Sequence, residues 1–304
     1  MPEFKPIDPP FRIAYRCPDH PNAGPLAPEV LTPAMPLTGP LRCPACGREY
    51  PVRDGVPDLT AGLTATNEYM TAEAGQWDAL APSYEEARSR DPRRMAGVDA
   101  AVRALAVRPG DLVLDAGCGT GLTVRRYLRS GVRAVALDLS LASLAVLRAR
   151  TRGAVDVVRG TLSALPFADG TFDRTLCANV LQHIPATDRV RCVGELARVT
   201  RPGGRVVVTA HAWSVTRRAA GWIKEGRPGL SDGPIRYIYR FEPAEFRGLL
   251  GSSLRVERVT AAGFPLPHRF KLSPLSQLAE RSLATLEAAA RFGDMLVGVC
   301  TTQQ

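Results

Sequence analysis

The chain has 304 residues, 45% of them hydrophobic, and a formal net charge of +9. That length supplies enough apolar surface for one large domain and a small accessory one. The absence of an 18-residue apolar run and of a signal-peptide core argues against a membrane-spanning or exported protein, so a cytoplasmic one is expected. Lys5, Lys224 and Lys271 are the only lysines, and the arginines are scattered rather than blocked, which fits genomic base composition better than a nucleic-acid surface.

Residues 1–60 hold more than half of the prolines and no sustained helical period, so they build little core of their own. They do carry Cys17-Pro-Asp-His20 and Cys43-Pro-Ala-Cys46, two ligand pairs of the spacing and softness that tetrahedral zinc takes. The remaining cysteines, Cys118, Cys177, Cys192 and Cys300, fall singly in strand or helix patterns, against a disulfide framework. Cys43 to Leu59 looks like the zinc-ribbon element of the small activator subunit of tRNA and rRNA methyltransferases, with His20 standing where cysteine is usual. The resemblance implies that Cys17, His20, Cys43 and Cys46 hold a structural zinc.

Residues 61–107 read as helical. Trp77, Leu80, Ala81 and Tyr84 recur at spacings of three and four, one face of an amphipathic helix, and a second helix is expected over Gly97 to Ala106. Trp77 to Tyr84 resembles the helix that lids the cofactor in many small-molecule methyltransferases, which would bring Tyr84 near the methionyl end.

Leu112-Val113-Leu114 is an apolar run without alternation, the pattern of a central parallel strand, and it leads into Asp115-Ala-Gly117-Cys118-Gly119-Thr-Gly121. The glycines are two apart, so this is not the dinucleotide fingerprint, which needs its third glycine three positions after the second. Asp-x-Gly-x-Gly-x-Gly at a strand end resembles the first motif of class I S-adenosylmethionine (SAM) methyltransferases. There Asp115 would face the methionyl ammonium, and the backbone from Gly117 through Cys118 and Gly119 to Gly121 would pack against the cofactor.

A helix is expected over Leu122 to Ser130, then a strand over Arg133 to Leu139 and a helix from Ser140 toward Arg152. Asp138 ends the second strand 23 positions after Asp115 (138 − 115), where a carboxylate can take two ribose hydroxyls, with Leu139 beside it. After the strand Val155 to Gly160, Thr161 and Leu162 stand where the family meets the adenine. The strand Arg174 to Asn179 leads into Asn179 to Ile184, which in the family passes below the sulfonium, making Asn179 and His183 candidates for contact. A helix over Asp188 to Val199, a Pro202-Gly203-Gly204 turn and a strand over Arg205 to Ala210 continue the resemblance.

Two late strands, Leu254 to Thr260 and Met295 to Thr301, complete an expected doubly wound, mostly parallel seven-stranded α/β sheet in a domain spanning 108–304. Two insertions, 211–241 and 263–293, are long enough to form a cap. The first carries Trp213, Tyr237 and Tyr239 as candidate substrate-binding residues. The second carries Leu275, Leu278, Leu283 and Leu286 on one helical face. His183 and His211 are the histidines within reach of the methyl-transfer face, as base or orienter. The leading expectation is a SAM-dependent methyltransferase acting on an O, N or C nucleophile of a small molecule. An rRNA or tRNA base methyltransferase is the alternative, and a non-catalytic SAM-binding or zinc-ribbon interaction protein a second.

Overall fold

A computed structural model describes residues 13–27, 39–60, 68–128, 131–226, 237–264, 274–283 and 286–303. Two helices, α1 (Glu68–Ser89) and α2 (Pro92–Leu105), precede an alternation of strands and helices: β1 (Leu112–Ala116), α3 (Val124–Tyr127), β2 (Arg133–Asp138), α4 (Leu141–Thr151), β3 (Asp156–Arg159), β4 (Phe172–Ala178), α5 (Ala186–Val199) and β5 (Thr200–His211). Then come α6 (Val215–Ala219), α7 (Pro243–Leu250), β6 (Arg255–Ala262), α8 (Pro274–Leu283) and β7 (Met295–Thr301). The strands form one seven-stranded sheet in the order β6-β7-β5-β4-β1-β2-β3. The strands from β3 to β5 are parallel, and β7 runs antiparallel between β5 and β6. This is the doubly wound α/β sheet that the sequence implies.

The unbroken apolar runs are explained by burial on both faces. Val113, Ala134, Ala136 and Val157 pack on one side with Leu105 of α2 and Leu144 of α4, while Leu114, Val135, Leu137 and Val158 pack on the other with Leu196 of α5. Leu41, Tyr50 and Leu59 of the N-terminal segment join this second layer, so short strand pairs at Arg16–Cys17 with His20–Pro25 and at Leu41–Arg42 with Glu49–Tyr50 dock on the large domain.

Four elements differ from expectation. Helix α2 starts at Pro92 because Asp91 caps it, its Oδ1 accepting from the N–H groups of Arg93 at 3.0 Å and Arg94 at 3.5 Å. The helix after the glycine turn is the single turn Val124–Tyr127, and positions 129 and 130 lie outside the described residues. The Pro-Gly-Gly turn is absorbed into β5 as a bulge, between the pairings Phe172 with Thr200 and Arg174 with Arg205. A Cβ at Gly204 would meet carbonyl oxygens of Arg201 at 2.7 Å and Asp173 at 3.0 Å, so the bulge needs a bare backbone there. In the second insertion Leu283 touches the core but Leu278 and Leu286 are exposed, and the Leu275 side chain lies outside the described residues. Among the described residues, no helix is long and apolar enough to cross a membrane.

Candidate functional site

The turn after β1 takes its shape from glycines in left-handed backbone, with φ of +82° at Gly117, +52° at Gly119 and +85° at Gly121. A Cβ on Gly117 would meet the Val180 side chain at 2.2 Å. A Cβ on Gly119 would meet nothing within 4 Å, because that position borders a cavity. The turn is tied to β2 by the N–H groups of Gly117 and Cys118, which donate to the Leu137 carbonyl at 2.7 and 3.0 Å.

Asp115 is fully buried beneath the turn and does not line the cavity. Its Oδ2 accepts from the Thr123 hydroxyl at 2.6 Å, and Oδ1 is sealed from solvent without a hydrogen-bond partner among the described residues. Burial pushes its carboxyl up to about 7, against the Thr123 hydrogen bond and with help from the Asp138 charge. Asp138 does line the cavity. Its Oδ2 accepts from Gly119 N–H at 2.7 Å and Oδ1 from Ser140 N–H at 2.9 Å, yet burial still raises its carboxyl above the ordinary range.

Leu139, Gly160, Thr161 and Leu162 wall one end of the cavity; Asn179, Val180, His183 and Ile184 wall the other. Asn179 holds a φ of +60°, and its side-chain Oδ1 is buried without a hydrogen-bond partner among the described residues. Helix α1 adds Tyr69, Met70, Glu73, Trp77, Ala81 and Tyr84 to the cavity wall. Asp78 fixes this helix by accepting from the Ser140 hydroxyl at 2.6 Å and Ala142 N–H at 3.0 Å, and Glu85 pairs with both Arg125 and Arg150. Tyr69, Glu73 and Trp77 lie four apart on the face that Trp77 and Ala81 had marked, so extending that period backward finds the first two.

The Trp77 ring stands edge-on to His183, centroids 5.1 Å apart, and its Nε1 donates to Glu73 at 3.0 Å. His183 Nδ1 faces the Tyr237 carbonyl at 2.9 Å, so that nitrogen carries the proton. Its Nε2 faces Gln182 Nε2 at 3.3 Å, while Gln182 Oε1 accepts from His211 N–H at 2.8 Å. Burial pushes His183 down to about 4, so it is neutral with its lone pair committed. His211 does not line the cavity. Burial, with Arg217 next, pushes it well below its usual value, and its Nδ1 has no hydrogen-bond partner among the described residues.

The three aromatic cap residues also lie outside the cavity lining. The Tyr237 hydroxyl accepts from Arg189 and donates to Glu225, both at 2.9 Å. Tyr239 donates to Glu245 and lies under the Arg189 guanidinium at 4.2 Å. Trp213 donates its backbone N–H to Phe241 at 2.7 Å, with Arg218 over its ring at 5.7 Å. Residues 227–236 and 265–273 lie outside the described residues.

At the N-terminal segment, the ligand atoms of Cys17, His20, Cys43 and Cys46 all fall within 4.8 Å of one another. Cys17 Sγ lies 3.6 Å from His20 Nδ1 and 3.1 Å from the Tyr50 hydroxyl. Two buried and two exposed soft or imidazole ligands at this separation suit a tetrahedral ion.

A mostly parallel sheet with a glycine turn at its switch point, a carboxylate at the next strand end and a cavity between them defines a nucleoside-cofactor enzyme of the α/β class. Residues 114–208 match the family model described as a methyltransferase domain. The chain is 37% identical over 155 residues to the demethylmenaquinone methyltransferase of Thermobifida fusca, covering 47% of this chain and 65% of that protein. It is 33% identical over 192 residues to the corresponding Parafrankia protein, covering 54% and 74%. In fold it resembles a chain from the complex between the Haloferax volcanii Trm112 methyltransferase activator and a methyltransferase, with TM-score 0.57 and 21% identity over 76% of this chain and 97% of that one. The chain thus spans less than two thirds of the first of these curated relatives. It belongs to the class I SAM-dependent methyltransferases.

Proposed function

We propose that this chain transfers a methyl group from SAM to an O, N or C nucleophile of a small molecule held beneath α1. The observation that supports it most is Asn179 Oδ1, sealed and without a hydrogen-bond partner among the described residues, on the wall of the same cavity that the Asp138 carboxylate lines. A ligand carrying a positive group beside a nucleoside would satisfy both, and SAM is such a ligand. Asp138 would hold the ribose and Thr161 and Leu162 the adenine. The cofactor supplies an activated methyl group on a cationic sulfur.

The residues around it orient the acceptor and exclude water. Trp77, Tyr69 and Tyr84 form an aromatic roof suited to a planar or apolar acceptor. Neutral His183 holds the Asn179–Ile184 loop to the cap rather than taking a proton. The relatives are named for demethylmenaquinone, which agrees with a small-molecule acceptor. The division into a ribbon over 1–60, a lid over 61–107 and a catalytic domain from 108 fits this reading, with Cys17, His20, Cys43 and Cys46 holding a structural zinc.

The test is incubation with methyl-labelled SAM and, separately, a small-molecule extract and total RNA. Label in the small-molecule fraction supports the reading. Label only in RNA replaces it with base methylation, and SAM binding without label in either replaces it with a non-catalytic role.

A further inference from the structure

We infer that the metal-ligand ribbon is a positioning element for the nucleoside end of the cavity, acting through Asp58 on Arg159 and through Arg16 on the loop at Pro166. The inference rests on the reading of that cavity as the SAM site.

Two loops build the nucleoside end, one at Leu139 after β2 and one from Gly160 to Leu162 after β3. The ribbon grips both. At the first, Arg159 spans the gap: its Nε donates to the Leu139 carbonyl at 2.9 Å and its Nη1 to Asp58 Oδ2 at 2.8 Å. Asp58 is 4% exposed, and its other oxygen accepts from the Thr60 hydroxyl at 2.6 Å and N–H at 3.2 Å. Those contacts outweigh burial and keep its carboxyl below the usual range. Leu59 N–H donates to the Arg159 carbonyl at 2.9 Å, so backbone and side chain are both held. A guanidinium suits this place because its planar fork reaches two acceptors at once, whereas an ammonium on a flexible stem reaches one.

At the second loop, Arg16 N–H donates to the Pro166 carbonyl at 2.9 Å, and the Tyr15 ring packs on Phe167 with centroids 6.2 Å apart. Pro166 stands four residues beyond Leu162 and folds back on the cavity-lining segment, its Cδ 3.7 Å from where a Cβ on Gly160 would be. Arg16 immediately precedes Cys17, whose sulfur sits in the four-ligand cluster and against the Tyr50 hydroxyl. Both grips issue from a segment built of two-residue strand pairs and turns, whose buried side chains dock on the large domain and include Cys17 and Cys43, so a bound ion would tie its two halves together. Loosening the ion loosens Arg16 and Asp58, and with them the two loops.

The test is calorimetric binding of S-adenosylhomocysteine, and of adenosine alone, to the full chain. The proteins compared are the parent, Asp58→Asn, Arg159→Lys, and parent treated with a chelator and then reloaded with zinc. Both variants should bind S-adenosylhomocysteine about tenfold more weakly, with the same loss for adenosine because the defect lies at the nucleoside end. Without ligand, Arg159→Lys should unfold close to the parent's temperature and Asp58→Asn below it, since the latter leaves the largely buried Arg159 guanidinium without its carboxylate. Chelation should weaken binding and zinc restore it. Should Asp58→Asn fail to fold, Arg159→Lys, which keeps the charge, carries the test. Affinity within about twofold of the parent in Arg159→Lys, or unmoved by chelation, overturns the inference. A parent protein that binds no S-adenosylhomocysteine defeats the cofactor reading itself and this inference with it, so the two failures are separable.

Discussion

His183 Nδ1 lies 2.9 Å from the carbonyl oxygen of Tyr237, and this contact joins the cavity wall to the cap. Burial lowers the histidine from 6.5 to about 4, so it is neutral at physiological pH. A depressed histidine contributes stability that is present above 6.5 and lost as pH falls through 4. Calorimetric unfolding should show the parent losing more stability between these values than His183→Gln, by roughly 3 kcal/mol. Equal acid slopes would contradict a neutral, buried His183.

Asp115 carries the opposite sign. Its carboxyl is raised from 3.8 to about 7, so its contribution is present below 3.8 and lost as pH rises through 7. Without ligand at pH 8, Asp115→Asn should be more stable than the parent by up to about 4 kcal/mol. Chemical unfolding at pH 5 and 8 reads the effect, and equal stabilities at pH 8 would contradict it.

The glycine turn separates folding from binding. Gly117→Ala places a methyl 2.2 Å from Val180 and should lower the unfolding temperature sharply. Gly119→Ala meets no protein atom within 4 Å, so it should fold with a loss of about 1 kcal/mol for its left-handed backbone. Its methyl projects toward the cavity, and SAM affinity measured by calorimetry should fall far more than stability does.

Asp138→Ala removes the carboxylate that takes N–H groups of Gly119 and Ser140 and faces the cavity. SAM binding should weaken by about two orders of magnitude, from lost charge-assisted hydrogen bonds. An unchanged affinity would place the ribose elsewhere.

Metal analysis of the parent should find about one zinc per chain, falling in Cys43→Ser. Cys43 is one of the two buried members of the cluster, so serine there removes a ligand that solvent cannot readily replace. Equal zinc in both proteins would defeat the metal reading.

What the sequence made legible was local. Asp115, the glycines and Asp138 are placed by strand ends and turns, properties that neighbouring residues dictate. The cap aromatics depend on a distant residue: Arg189 of α5 reaches both Tyr237 and Tyr239, and no spacing within 211–241 reveals that capture. His183 was visible as a histidine after a strand, but its tautomer is set by Tyr237 and Gln182 together. The bulge in β5 was hidden for a similar reason, since Pro202-Gly203-Gly204 signals a turn equally well whether it precedes a strand or interrupts one.

Strand β3 ends the sheet, and Arg159 on it bridges Asp58 as a one-residue parallel extension. The outer rim of a parallel sheet is a template for pairing with another chain, and here the Leu59 N–H takes the Arg159 carbonyl while the Asp58 carboxylate holds the Arg159 side chain. The N-terminal segment thereby covers part of that rim. A chain shortened to begin after Thr60 would bare that rim and should self-associate as its concentration rises.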